Sequence, residues 1–497
     1  GLYFYNLQKK KFPLPPGPTG YPLIGNVFDM PSTWRTFAEW GEKYGGIVSV
    51  TLLRQPYIII NDSAIATSVL GGGGNAYADR PTFEMANICG WDRVLSRSVS
   101  FPLTSGANSN NSILHRFREY RKLIGRVFGS RVSMEKFHDM EEYHANMLLK
   151  RVLEDPEAFE SAIRKSTGAL ILQLAYGYRI KENGSDPIVD LVDRGMRQFS
   201  DAMRPGKFLV DVLPILKYIP SWFPGAGFQH LAKKYRRTCK EAADIPLSFV
   251  QGQAGKSYAA DLLSHPNLSE EQYLDIKWSA ASFYMGGTDT TVSIVIAYFL
   301  AATKNPEIQA KAQTEMDRVV GRWRLPTLND RASLPYTEAL CHELRRWLTI
   351  VPLGLPHRAM QDDVYEGYFI PKNAIVIPNV WKFMHDPAVY REPFLCDPDR
   401  FLGPEPEPDP VNHGLFGYGR RLCPGMHLAD VSIWICVAKA VAGLTISRAL
   451  DASGAPIDPI VDITDGIVSR PLPFRCTVKP RSEQVLKWIE EATQGTT

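Results

Sequence analysis

The segment between Ser269 and Pro306 constrains this chain most. Ser269 offers a hydroxyl to cap a helix, Gln272 stands where it can answer back, and nothing further along stops a helix before Asn305-Pro306. At 1.5 Å per residue this is one rod of about 50 Å. Residues 278–302 are apolar enough to suggest a membrane span, but Gly286-Gly287-Thr288-Asp289-Thr290-Thr291 stands at the centre, and a central Asp-Thr-Thr argues against lipid. Each glycine costs about 1 kcal/mol in a helix relative to Ala, and a buried carboxylate must find partners or be protonated. A functional return explains both. Glycine, Gly287 in particular, lets a ligand approach the backbone, Thr290 can bend the helix and hold a water, and Asp289 can relay protons to it.

A second segment carries metal chemistry. Phe416-Gly417-Tyr418-Gly419-Arg420-Arg421-Leu422-Cys423-Pro424-Gly425 runs into a helix predicted over 427–444, apolar nearly all round and therefore buried on every side. A cysteine at a helix start meets the positive end of the dipole and unpaired N–H groups, which favour the thiolate, the form that binds a metal. Gly419 and Gly425 let the backbone turn tightly and bring donors to the sulfur. Arg421 offers a planar cation suited to a carboxylate.

Composition narrows the class. With 497 residues, 44% of them hydrophobic and 11% aromatic, the chain can bury a large core, which excludes disorder. Basic and acidic residues nearly balance, 56 to 53, so no global field points to nucleic acid. The seven cysteines are odd in number and widely spaced, with no CxxC pair, which fits a reducing compartment and excludes a zinc finger. No linker divides the middle of the chain, so residues 13–497 read as a single domain. Residues 1–12, an apolar start followed by Lys9-Lys10-Lys11, read as the flank of a truncated membrane anchor, and Pro13-Leu14-Pro15-Pro16-Gly17-Pro18 as a stiff spacer.

The remaining pattern is mainly α with small β-sheets (α+β). A hairpin is predicted over 46–62 around Gln55-Pro56, helices over 116–128 and 340–348, and short strands over 363–377. Glu343 and Arg346 share a helical face at i,i+3 spacing, with Pro398-Asp399-Arg400-Phe401 downstream. Arg116, Arg118, Arg121, Lys122 and Arg126 recur along the helix over 116–128, and Pro356-His357-Arg358 adds further cations. Residues 213–228, with Trp222-Phe223-Pro224, could form either an entrance that dips into lipid or a packed connector.

The cysteine loop matches the haem loop of the cytochrome P450 family, Phe-x-x-Gly-x-Arg-x-Cys-x-Gly, at every fixed position, and Gly286 to Thr291 matches that family's Ala/Gly-Gly-x-Asp/Glu-Thr-Thr. The chain thus resembles a fungal microsomal cytochrome P450. The resemblance implies haem b between the long central helix and the cysteine loop, with Cys423 as axial iron ligand. It implies that Phe416 packs beside the macrocycle, that Arg421, Arg121 and Arg358 (preferred over His357) meet the propionates, and that Thr290 and Asp289 deliver the protons for O–O cleavage. Glu343, Arg346 and Arg400 would form a structural network beneath the haem. Phe283, Gly287, Val351, Leu353 and Ile467 would wall the substrate pocket, roofed by residues 82–112. Phe117 replaces a frequent Trp, residues 107–115 look like an insertion in the roof loop, and glycines 71–74 stand where helix belongs.

The implied activity is hydroxylation of a hydrophobic terpenoid, polyketide or aromatic/indole secondary metabolite by one atom of dioxygen. Without a nucleotide site in the chain, electrons come from NADPH through a separate flavoprotein reductase, with cytochrome b5 as an optional second donor, at the cytosolic side of the endoplasmic reticulum membrane. Two other readings remain. A haem-thiolate isomerase or dehydratase would turn over without NADPH, and a non-catalytic haem-binding protein would show no substrate-dependent oxygen use.

Overall fold

The computed structural model describes residues 12–30, 33–72, 76–95, 110–182, 184–204, 207–250 and 257–494. Eight helices position the site: α1 (Asn110–Phe128), α2 (His138–Glu154), α3 (Phe159–Tyr176), α4 (Pro187–Ala202), α5 (Gly227–Val250), α6 (Glu270–Lys304), α7 (Pro335–Trp347) and α8 (Met426–Gly443). The central rod is α6. Ser269 Oγ accepts from the Gln272 amide at 3.2 Å, and the Gln272 side chain accepts from the Ser269 amide at 2.9 Å, closing the reciprocal cap read from the sequence. It packs lengthwise on α3 and is crossed by α1, α5 and α8. Among the described residues two helices, α6 and α8, are long and apolar enough to cross a membrane, and each has 83% of its apolar stretch buried inside the protein. Their hydrophobicity serves a core.

Among the described residues three small sheets flank the helices. Strands β1 (Ile47–Leu52), β2 (Gln55–Ile60), β3 (His357–Arg358) and β6 (Ile375–Pro378) form one sheet in the order β1-β2-β6-β3, in which only β2 and β6 run parallel. β4 (Asp363–Tyr365) pairs with β5 (Tyr368–Ile370), and β7 (Leu444–Arg448) with β8 (Cys476–Pro480). The proline segment lies against the first sheet as a strap of acceptors. The Ser49 amide donates to the Pro16 carbonyl at 3.0 Å and the Phe369 amide to that of Pro13 at 2.7 Å. Prolines lack donors but keep their carbonyls, so such a strap can be bonded from one side only.

The architecture is the mainly helical one, with small sheets, that the sequence implies; the differences are local. The hairpin turns at Leu53-Arg54, both at positive φ, and not at Gln55-Pro56, which already pair with Leu52 and Thr51. Pro56 is tolerated because pairing to β6 starts one residue later. The helix predicted from 116 starts at Asn110, so residues 110–115 of the apparent insertion lengthen α1, while 107–109 lie outside the described residues. Gly71 and Gly72 close a wide π-type turn, Thr67–Gly72; Gly73 and Gly74 lie outside the described residues, as do residues 1–11 and the 96–109 part of the roof.

Candidate active site

Between α6 and the loop leading into α8 lies a cavity of about 330 Å³. The loop is held by a hydrogen bond from the Cys423 amide to the Phe416 carbonyl at 2.8 Å, and it turns at Gly417 and Gly419, with φ of +86° and +49°. A Cβ on Gly419 would lie 3.0 Å from the Leu70 carbonyl oxygen, so this glycine allows the loop to press against the turn below it. Cys423 and Phe416 both line the cavity, and Gly419 does not. Burial pushes the Cys423 thiol up, while the Gly425 amide and the Arg121 guanidinium pull it down. The helix-start argument from sequence counted only the second effect; burial outweighs it in the isolated chain.

Across the cavity stands Thr290, whose hydroxyl donates to the Gly286 carbonyl at 2.9 Å one turn back. Both central glycines border the cavity, but they differ. A Cβ on Gly286 would meet nothing within 4 Å, whereas one on Gly287 would meet the Ile171 side chain at 3.2 Å. Gly286 therefore has open space on its cavity side, while Gly287 lines the cavity and also serves close packing of α6 on α3. Asp289 also differs, since it is buried and does not line the cavity. Its carboxylate accepts from Arg164 at 3.0 Å and from Arg470 at 2.9 Å. A carboxylate bonded by two cations is stable without water.

Five basic side chains border the cavity: Arg80, Arg121, Arg345, His357 and Arg421. Arg421 donates from Nε to the Ala78 carbonyl at 2.6 Å and stacks on Phe117, 3.8 Å from the ring centre, so the residue standing in for Trp supplies a face instead of a donor. Arg121 donates to the Leu422 carbonyl. Arg80 donates to the carbonyls of Leu355 and Pro356 at 2.5 and 2.9 Å. The preference for Arg358 is overturned. Successive residues of β3 point to opposite faces, and that alternation gives the cavity to His357 while Arg358 turns into an ion pair with Asp79, with Nε at 2.7 Å. His357 Nδ1 donates to the Tyr77 carbonyl at 2.7 Å, and burial, with Arg80 and Arg421 nearby, holds its pKa far below the ordinary value. Alternation could have shown this in the sequence. For Arg80 no local signal existed.

Glu343, Arg346 and Arg400 come together as read. Glu343 accepts from Arg346 at 2.7 and 2.8 Å and from Arg400 at 3.3 Å, all three nearly free of solvent. Arg346 also reaches the carbonyls of Met384, Pro393 and Leu395, and Arg400 reaches Glu407 at 2.6 Å. Asp399 sits apart, paired with Lys311. Of the expected pocket residues, Phe283, Val351 and Ile467 line the cavity; Leu353 does not, and packs against the Phe37–Val48–Ile59 cluster, leaving the place to Leu355. Phe283 is fixed by stacking on Phe128 at 4.2 Å. Met196 and Phe199 of α4 were missed, because nothing in an amphipathic helix marks which apolar residue meets a ligand.

Among the described residues no group of three or more His, Cys, Asp or Glu could hold a metal ion. One sulfur would suit an iron whose other ligands arrive in a macrocycle. The apolar walls suit the faces of such a ring and the guanidinium groups of Arg80, Arg121 and Arg421 its carboxylates, so the residues present fit haem.

The family model for cytochrome P450 matches residues 15–447. Cytochrome P450 monooxygenase 208 of Postia placenta is 46% identical over 485 residues, covering 96% of this chain and 92% of its own length. Cytochrome P450 monooxygenase claR of Ampulloclitocybe clavipes is 40% identical over 481 residues, covering 94% and 87%. The O-methylsterigmatocystin oxidoreductase of Aspergillus flavus is 36% identical over 495 residues, covering 96% and 90%. Likeness of that depth runs from the proline strap past the end of α8 and takes in both walls of the cavity, so the chain belongs to the cytochrome P450 family, an oxidoreductase of the monooxygenase class that uses haem.

Proposed function

We propose that the chain places one atom of dioxygen into a neutral, hydrophobic small molecule of secondary metabolism, with electrons from NADPH passed on by a separate flavoprotein reductase. The observation that carries this reading is the shared cavity, which Cys423 enters from one side and Thr290 from the other. Cys423 would hold the iron, and Arg80, Arg121 and Arg421 the haem carboxylates. Bound haem supplies the binding and activation of dioxygen that no side chain can provide.

The chain's own residues then manage protons, water and substrate. With its hydrogen given to the Gly286 carbonyl, the Thr290 oxygen offers lone pairs to the cavity and holds a water there as acceptor. Asp289 stands one residue away, behind Arg164 and Arg470, and passes a proton inward only by exchanging one of those partners. Phe283, Val351 and Ile467 keep bulk water out. None of the described lining residues is Asp or Glu, which favours a neutral substrate, such as a terpenoid, polyketide or aromatic skeleton, over a cation.

Arg118, Lys122 and Arg126 are exposed along α1 and form a basic face for an acidic electron donor, a docking that salt should weaken. Exposed Leu209, Ile215 and Trp222 suit contact with a membrane surface, in keeping with a single catalytic domain over 13–497 on the cytosolic side of the endoplasmic reticulum.

The reduced carbonyl complex tests the reading. The expected spectrum has the red-shifted Soret band of thiolate ligation, lost in Cys423→Ala; the same band in that variant would reject Cys423 as ligand. Substrate turnover that needs no NADPH would reject the monooxygenase cycle.

A further inference from the structure

Arg345 lies between Glu343 and Arg346 on α7 but leaves the helix on another side. Glu343 and Arg346 enter a buried network with Arg400, whereas Arg345 borders the cavity together with Cys423, Leu428 and Ala429. It is 3% exposed. Its Nη2 meets Asp430 Oδ1 at 3.0 Å, and its Nε, fully buried, has no hydrogen-bond partner. The other Asp430 oxygen faces Arg331 at 3.0 Å and the exposed Arg131 at 3.6 Å, so one carboxylate is shared by three guanidinium groups. Glu338 takes up part of that excess through Arg331, at 2.7 Å. The end of the network nearest the cavity is a cation.

A tie between α7 and α8 needs no such arrangement. A buried guanidinium with an idle N–H is costly, and an apolar pair of the same volume would join the helices as well or better. We propose that Arg345 is a tuning residue for the haem held at Cys423, its positive charge on the cysteine side making the iron easier to reduce. Reduction adds one electron, supplied by the reductase, and leaves the site one unit more negative. A fixed cation in a desolvated wall stabilises that state relative to the oxidised one. The inference rests on the haem-thiolate reading above.

The test is a redox titration of the purified, haem-loaded full chain, with dithionite and mediators and without any reductase. Arg345→Gln is expected to lower the ratio of reduced to oxidised haem about tenfold at a fixed potential, a fall of about 59 mV for one electron. Arg345→Lys, which keeps the charge, should recover most of it. An unmoved midpoint in Arg345→Gln, or a Lys variant no better than Gln, overturns the proposal. If Arg345→Gln takes up no haem, Asp430→Asn reads the same field with the opposite sign: a higher midpoint supports the role, and an unchanged or lower one overturns it. The carbonyl spectrum of the unmutated protein keeps the two readings apart. A missing thiolate band sinks the haem-thiolate assignment itself, while a normal band with an unmoved midpoint sinks only Arg345.

Discussion

Asp289 and Thr290 are neighbours with opposite situations, and their substitutions should separate accordingly. Thr290 faces the cavity, so Thr290→Ala should keep haem and substrate binding while reducing equivalents leak to peroxide; full coupling of NADPH use to product would contradict its role. Asp289 faces Arg164 and Arg470, so Asp289→Asn should slow turnover and enlarge the solvent isotope effect, and an unchanged isotope effect would count against a proton relay. A third group, fully buried, affects stability only. Burial pushes Glu141 up to about 8, against the Ser432 hydroxyl 2.9 Å from both its oxygens. Unfolded, it ionises near the ordinary carboxyl value of 4.5, so between there and about pH 8 the unfolded chain holds fewer protons and stability falls as pH rises. Glu141→Gln should remove that fall, which amounts to a few kcal/mol. Melting curves at pH 5 and pH 8 check it: the gain from the mutation should be larger at pH 8, and an equal gain at both refutes the buried-acid account. Cys423, Glu343 and Arg346 could be found in the sequence because their chemistry lies within a few positions. Arg164 and Arg470 could not, being 125 and 181 positions from the carboxylate they hold.

Two adjacent glycines in the middle of α6 illustrate what an element's pattern hides. The sequence says that something must come close to the backbone there, but not from which side. The helix turns by about 100° per residue, which aims Gly286 at open cavity and Gly287 at Ile171. Gly286→Ala should therefore stabilise the fold by up to about 1 kcal/mol through helix propensity, raising the melting temperature, and still weaken substrate binding by filling the cavity. Gly287→Ala should lose part of that gain, because its methyl meets Ile171 at 3.2 Å. Thermal melts of the two variants, with spectral titration by a hydrophobic ligand, check both directions; equal effects would mean that the two faces of α6 are not distinct. Strand β3 carries the same lesson in shorter form. Period-two alternation decides between His357 and Arg358, and the choice of Arg358 ignored it in favour of charge.

At the scale of the whole molecule, the capped rod and the all-round apolar α8 were legible because both follow from composition along one helix. Which surfaces stay bare depends on everything packed around them. The stretch that sequence left undecided between a packed connector and a lipid-facing entrance is exposed: Ile215, Tyr218 and Trp222 stand 74%, 74% and 79% open to solvent, with Leu209, Leu213 and Phe223 beside them in the chain. Short helical turns at Leu209–Val212 and Pro214–Tyr218 hold these side chains out, and a packed connector would have buried them. Fully burying one such side chain is worth about 1.5 to 3 kcal/mol, so even partial insertion of two residues changes a partition constant by tenfold or more. The double variant Ile215→Ser/Trp222→Ser should therefore bind neutral phospholipid vesicles at least about tenfold more weakly than the unmutated chain, with no change in the carbonyl spectrum. Neutral lipid removes the electrostatic attraction of the basic α1 face, which leaves the apolar patch as the contact under test. Equal sedimentation of the two proteins with such vesicles would assign the patch to some other partner and leave the membrane reading without support.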